Sequence, residues 1–169
     1  MEIDLGLLIL RLVLGALVAG HACQKLFGWF RGRGIRGTGE LFEADGIRPG
    51  PAMVLFAGLS ELTAAVLIGF GLLTPLAGAM LIGAMIAAIS TLWPKGVWAH
   101  LGGFEVPLVY ALIALCLVIT GPGGLALDAL LPWQLHGVVW ALAAAALGVV
   151  ASLPVVGMVV RHRRTAARS

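Results

Sequence analysis

Polar positions in this chain come in short bursts between long apolar runs, and those runs predict the elements. Apolar stretches run from about Leu5 to Phe27, Pro51 to Phe70, Leu76 to Leu92, Phe104 to Thr120 and His136 to Val160. Roughly 20 apolar residues in helical form cross the hydrocarbon core of a bilayer, so each stretch predicts a spanning helix. The breaks carry turn chemistry: Gly71-Leu72-Leu73-Thr74-Pro75, Trp93-Pro94-Lys95, Gly102-Gly103 and Gly121-Pro122-Gly123-Gly124. Pro75 and Pro107 fall in first turns, where a missing N–H costs nothing. The stretch Leu125 to Gln134, with Asp128, predicts a connection, and Pro154 predicts a kink in the last helix. Residues 28–50 are rich in Gly and Arg and predict one short interfacial helix around Glu40 to Asp45. Trp29 and Phe30 beside Arg31 and Arg33 suit the headgroup level.

The fold class that follows is all-α: a polytopic membrane helix bundle. Composition agrees. The 169 residues are 60% apolar and 11% charged, where a soluble domain is nearer half apolar and a quarter charged. Mean hydropathy is +1.04. Five spans with short connections fill the length and leave no room for a soluble catalytic domain. Ala79, Gly83 and Ala87, spaced by four, predict a close helix–helix contact, because small residues let backbones approach in lipid. The Met1-Glu2-Ile3-Asp4 start lacks the basic region of a secretory signal, so the first apolar run reads as a retained helix.

Basic residues orient the bundle. With five spans, one side holds Lys25, Arg31, Arg33, Arg36, Arg48, Lys95, Arg161, Arg163, Arg164 and Arg168. The other side holds no Lys or Arg, and only Arg11 lies inside a span. The positive-inside rule then predicts the N-terminus outside and the C-terminus and tail 161–169 cytoplasmic.

Ionisable groups inside spans are expensive and normally face the bundle interior. Arg11 sits six residues in from Leu5, about 9 Å below the outer end at 1.5 Å per residue. Glu61 sits near the middle of the second span. An Arg11–Glu61 ion pair, direct or through water, is expected; fixing helix register would be reason enough for it. At the inner side His21, Gln24 and Lys25 share a helix face at i, i+3 and i+4. Glu105 and His100 lie at similar depth. These five predict an inner polar pocket whose donors would suit the carbonyls of a quinone head. The plainer reading is that Lys25 snorkels to the headgroups and His21 bonds a backbone carbonyl.

Other chemistries are poorly served. Cys23 and Cys116 fall at opposite depths, which excludes a disulfide between them. His21, His100, His136 and His162 do not make a metal or haem set, so no metal is expected. No phosphate-binding loop, nucleophile elbow or His-Glu-x-x-His motif is present. A basic face for nucleic acid is also missing.

Certain segments in order resemble the DoxX family of small bacterial membrane proteins. They are Leu10-Arg11-Leu12-Val13-Leu14-Gly15, then His21 and Gln24-Lys25-Leu26, then Gly39-Glu40-Leu41-Phe42-Glu43. Gly58-Leu59-Ser60-Glu61-Leu62, Gly69-Phe70-Gly71-Leu72-Leu73-Thr74-Pro75 and Gly102-Gly103-Phe104-Glu105-Val106-Pro107 follow, with Gly121-Pro122-Gly123 and Leu127-Asp128 last. The resemblance covers about residues 5 to 130. It implies a four-helix core over 1–132 with the interfacial loop 28–50. The fifth transmembrane helix, 133–160, and the basic tail are additions to that core. Arg11, Lys25, Glu61 and Glu105 are the matched polar positions. The family is similar to the small subunit of thiosulfate:quinone oxidoreductase. The resemblance therefore implies a redox-linked subunit that binds quinone or docks a soluble oxidoreductase as partner. A non-enzymatic membrane scaffold or small-solute carrier remains the alternative. Whether the chain is catalytic, and its oligomeric state, stay open at this level.

Overall fold

The computed structural model describes residues 1–168; Ser169, the end of the expected tail, lies outside the described residues. Six helices form the fold: α1 Glu2–Phe27, α2 Gly34–Ala44, α3 Gly50–Phe70, α4 Thr74–Leu92, α5 Glu105–Thr120 and α6 Val138–Ala166. No strand occurs among the described residues. Four helices, α1, α3, α4 and α6, are long and apolar enough to cross a membrane. α5 has 16 residues, about 24 Å at 1.5 Å per residue. That is shorter than a ~30 Å hydrocarbon core, yet it carries the chain from one end of the bundle to the other.

Each boundary has a local cause. α1 closes at Gly28 with φ 74°, and α3 closes at Gly71 with φ 63°. Both use the left-handed conformation that glycine adopts without strain. Pro51 and Pro75 sit in the first turns of α3 and α4. The Gly50 N–H at the start of α3 donates to Glu43 Oε1 (2.9 Å), which ties α2 to α3 across a short turn. α2 begins six residues earlier than the polar pattern around Glu40 implies. α6 continues through Pro154 and on to Ala166, so Arg161, Arg163 and Arg164 ride on a helix and not on a separate tail. Arg163 Nη2 donates to the Thr91 carbonyl at the end of α4 (2.9 Å), which anchors that extension.

α4 is the central helix and packs against α3, α5 and α6, while α1 packs against α3. The core joins Leu14 and Val18 of α1, Ala64, Ala65 and Ile68 of α3, Ala77, Leu81, Ile82 and Met85 of α4, and Ala114 and Leu117 of α5. The small-residue stripe on α4 does what its spacing predicts. A Cβ on Gly83 would come within 3.0 Å of the Gly148 carbonyl, and one on Gly148 within 2.9 Å of the Ala79 carbonyl. The α4 and α6 backbones therefore touch, with Ala141 and Ala144 buried alongside. The outside is a coat of exposed Leu, Val and Phe, including Leu12, Leu17, Phe56, Leu59, Val66, Leu142 and Val150. A water-facing monomer does not carry such a surface, and the chain is a multi-pass membrane protein in contact with lipid.

Candidate functional site

Two buried polar clusters occupy opposite halves of the bundle, and neither is the predicted Arg11–Glu61 pair. Arg11 is 1% exposed. Its Nη1 donates to the Gly69 carbonyl (3.1 Å) and its Nη2 to the Leu125 carbonyl (2.6 Å). Asp128, close enough for its charge to act on Arg11, accepts from Leu73 N (2.7 Å), Thr74 N (2.9 Å) and Thr74 Oγ1 (2.6 Å). Asp128 thus caps the start of α4 from 54 residues away and holds Leu73 at φ 48°. Its own N–H donates to the Gly71 carbonyl (2.8 Å). Arg11, the Gly69–Thr74 turn and the Leu125–Asp128 connection are one knot. A void of about 10 Å³ beside Arg11 and Thr74 has the size of a single water.

Glu61 pairs with Lys25. The reason is register. α1 and α3 run antiparallel, with Gly15 against Ala65 and Leu26 against Gly58. Gly69, the level of Arg11, stands eight residues from Glu61, about 12 Å along α3. α1 starts at Glu2 and overhangs the end of α3, so depth counted from the helix ends misplaces Arg11. Glu61 is 2% exposed and Lys25 24% exposed. Glu61 Oε2 has no hydrogen-bond partner in the protein.

The expected inner pocket is dispersed. Of His21, Gln24, Lys25, His100 and Glu105, only Lys25 reaches a cavity. The His21 ring meets Tyr110 edge-on at 5.9 Å. Glu105 Oε2 accepts from Ala99 N (2.9 Å) and so closes its own loop. His100 is exposed in that loop and Gln24 is half-buried. Cys23 and Cys116 are free thiols. No cluster of three or more His, Cys, Asp or Glu suited to a metal occurs among the described residues.

The Lys25–Glu61 pair forms part of the wall of a large cavity, about 640 Å³. α4 supplies its floor at 76, 79–80, 83–84, 87–88 and 91–92, one face of the helix. That stripe extends 17 residues, about 24 Å. One side is α3, from Met53 to Thr63. The other is α6, through Leu147, Ala151, Ser152 and Val155. Rim residues Phe56, Leu59, Leu76 and Leu147 are exposed on the lipid-facing surface. Ser152 and Thr91 spend their hydroxyls on Val149 and Ala88 carbonyls of their own helices. The cavity is therefore a mainly apolar groove, open sideways to the membrane, with one ion pair and the hydroxyl-bearing Ser60 and Thr63 in its wall. Sequence reading missed it because it exists only where α6 stands off from α3. The spacing of 147, 151 and 155, matched to the α4 stripe, was the available signal.

The DoxX family model matches residues 6–101, more than half of the chain and including Arg11, Lys25 and Glu61. The chain belongs to the DoxX family. It is also 31% identical over 125 residues to a Bacillus subtilis (strain 168) protein described as "Putative oxidoreductase CatD"; the match covers 74% of this chain and 86% of that one. No solved structure matches. α6 lies beyond the matched DoxX segment, yet it supplies one wall of the groove.

Proposed function

We propose that this DoxX protein is a redox-linked membrane subunit that takes a lipid-soluble quinone into the groove between α3, α4 and α6. One observation carries the reading: a single ion pair, Lys25–Glu61, in the wall of a mainly apolar groove open to the bilayer. Ligand sites are mostly apolar clefts of about 300–1,000 Å³ with a few polar groups that fix orientation. A quinone matches that division: its tail lies along the α4 stripe and its ring carbonyl accepts from Lys25, whose ammonium has three donors and gives one to Glu61. Support from the relative is coarser, a likeness to a protein described as "Putative oxidoreductase CatD".

The partner side of the proposal is electrostatic. Arg33, Arg36, Arg48, Lys95, Arg161 and Arg164 belong to the loops and helix ends around α2 and the end of α6. We place this end in the cytoplasm by the positive-inside rule. There it would meet a soluble, acidic-faced oxidoreductase.

The test is titration of decylubiquinone into protein in lipid nanodiscs, followed by tryptophan fluorescence and checked by calorimetry. Saturable binding of one quinone per chain, weakened at least tenfold in Lys25→Met, is expected. Binding that never saturates, or that ignores Lys25, overturns the reading.

A further inference from the structure

The ion pair in the groove wall is asymmetric in its hydrogen bonding. Lys25 is satisfied by Glu61 on one donor and, being 24% exposed, has others to offer. Glu61 is satisfied on Oε1 only; Oε2 is buried and has no partner. A carboxylate oxygen left without a donor at such a site costs free energy. The missing complement is therefore a donor, and the groove is where a ligand could bring one.

We infer that the groove selects the reduced, hydroxyl-bearing form of its ring ligand, with a ring O–H donating to Glu61 Oε2 while the same oxygen accepts from Lys25. This rests on the quinone reading and narrows it. A quinone carbonyl only accepts, so it can serve Lys25 and leaves Glu61 Oε2 unmet. A hydroquinone hydroxyl accepts and donates, so it answers both members of the pair at once. A methyl ether of that hydroxyl accepts weakly, donates nothing and adds bulk. Sites built to bond a hydroxyl discriminate strongly against analogues that lack it, because a buried polar group is then left unpaired. The apolar lining gives the quinone and the hydroquinone nearly the same burial, so the preference between them falls on the Lys25–Glu61 pair.

The experiment compares decylhydroquinone, the matching quinone and the hydroquinone dimethyl ether on wild-type protein in nanodiscs, anaerobically. The hydroquinone is expected to bind at least tenfold more tightly than either other compound. Glu61→Gln, whose amide can donate to a carbonyl, is expected to weaken the hydroquinone and strengthen the quinone. Equal affinities, or a tighter quinone, overturn the selection for the hydroxyl form and leave the quinone reading standing. Saturable binding by none of the three overturns both. The wild-type series decides the matter even if Glu61→Gln does not fold.

Discussion

The two buried polar clusters are made of similar groups and are built to opposite ends. Around Arg11 and Asp128 the partners are mainly backbone: carbonyls of Gly69 and Leu125, N–H groups of Leu73 and Thr74. Space there admits about one water. Around Lys25 and Glu61 the partner of each charge is the other side chain, and a 640 Å³ groove lies alongside; each cluster leaves one buried atom without a partner, Arg11 Nε in the first and Glu61 Oε2 in the second, and only the second has that space beside it. The first arrangement converts charge into chain connectivity, since it ties α1 to the α3–α4 turn and to the connection after α5. The second holds charge at a surface that a ligand can reach. Burial alone does not tell these apart; Arg11 and Glu61 are 1% and 2% exposed. The identity of the partner and the space beside it do.

The largest expected effect tests the knot. Arg11→Met removes two hydrogen bonds from a charged donor, each worth about 1.5–3 kcal/mol, so a loss of about 3–5 kcal/mol is expected. Asp128→Ala removes three bonds and should cost about 3 kcal/mol. Thermal melting in detergent reads both. No second substitution should restore either variant, because the deserted partners are backbone groups. If melting is unchanged while quinone binding disappears, the assignment of roles to the two clusters is backwards.

Lys25–Glu61 should answer differently. Lys25→Met leaves a buried carboxylate without its counter-ion. Breaking a fully buried pair costs about 3–5 kcal/mol, and the partial exposure of Lys25 brings the expectation to about 2–3 kcal/mol. Replacing both residues, Lys25→Met with Glu61→Leu, should recover stability to within about 1 kcal/mol of the wild type. Ligand binding should stay lost. Rescued melting with silent titration is the signature of a pair kept for its ligand. A double variant no more stable than Lys25→Met alone would make the pair an ordinary structural element.

How much of this was legible beforehand follows the same division. The order of helices, the small-residue contact of α4 and the polar positions worth attention are local or periodic features, and the sequence carries them directly. Pairing is not local. Whether Glu61 meets Arg11 or Lys25 depends on the register of α1 against α3, and a shift of a few residues changes the answer. That register is set by contacts such as Gly15 on Ala65 and Leu26 on Gly58, which no count from helix ends supplies. Asp128 read as a loop acid for the same reason: its partners are 54 and 55 residues away. His21 and Glu105 are expected at the depth of Lys25, but the His21 ring packs edge-on against Tyr110 and Glu105 accepts from the Ala99 N–H. Depth constrains a side chain less than the direction of its helix face.

Gly71 sharpens the knot on a smaller scale. Its φ of 63° disfavours any side chain, and a Cβ there would strike the Arg11 guanidinium and approach the Ala126 methyl at 2.6 Å. The backbone alone penalises Gly71→Ala by about 1–2 kcal/mol. Displacing Arg11 adds to that in the wild type. In an Arg11→Met background the second part should vanish, so the two substitutions should be less than additive. Strict additivity would separate Gly71 from Arg11 energetically.

The smallest effect on stability should accompany a large effect on binding. Ala151 lies on α6, lines the groove and is exposed at its lipid-facing edge. Ala151→Phe places a ring where the ligand would lie, at a position that is exposed and not part of the core. A change within about 0.5 kcal/mol is expected, as for exposed positions away from caps and cores. Quinone affinity should fall at least tenfold. The same substitution at the equally exposed Val150, absent from the groove lining, should leave affinity alone and controls for added aromatic surface in lipid. Equal losses at 150 and 151 would trace the effect to the bilayer face of α6 and not to the groove. A loss at 151 alone would tie binding to a wall contributed by the helix that lies beyond the matched DoxX segment.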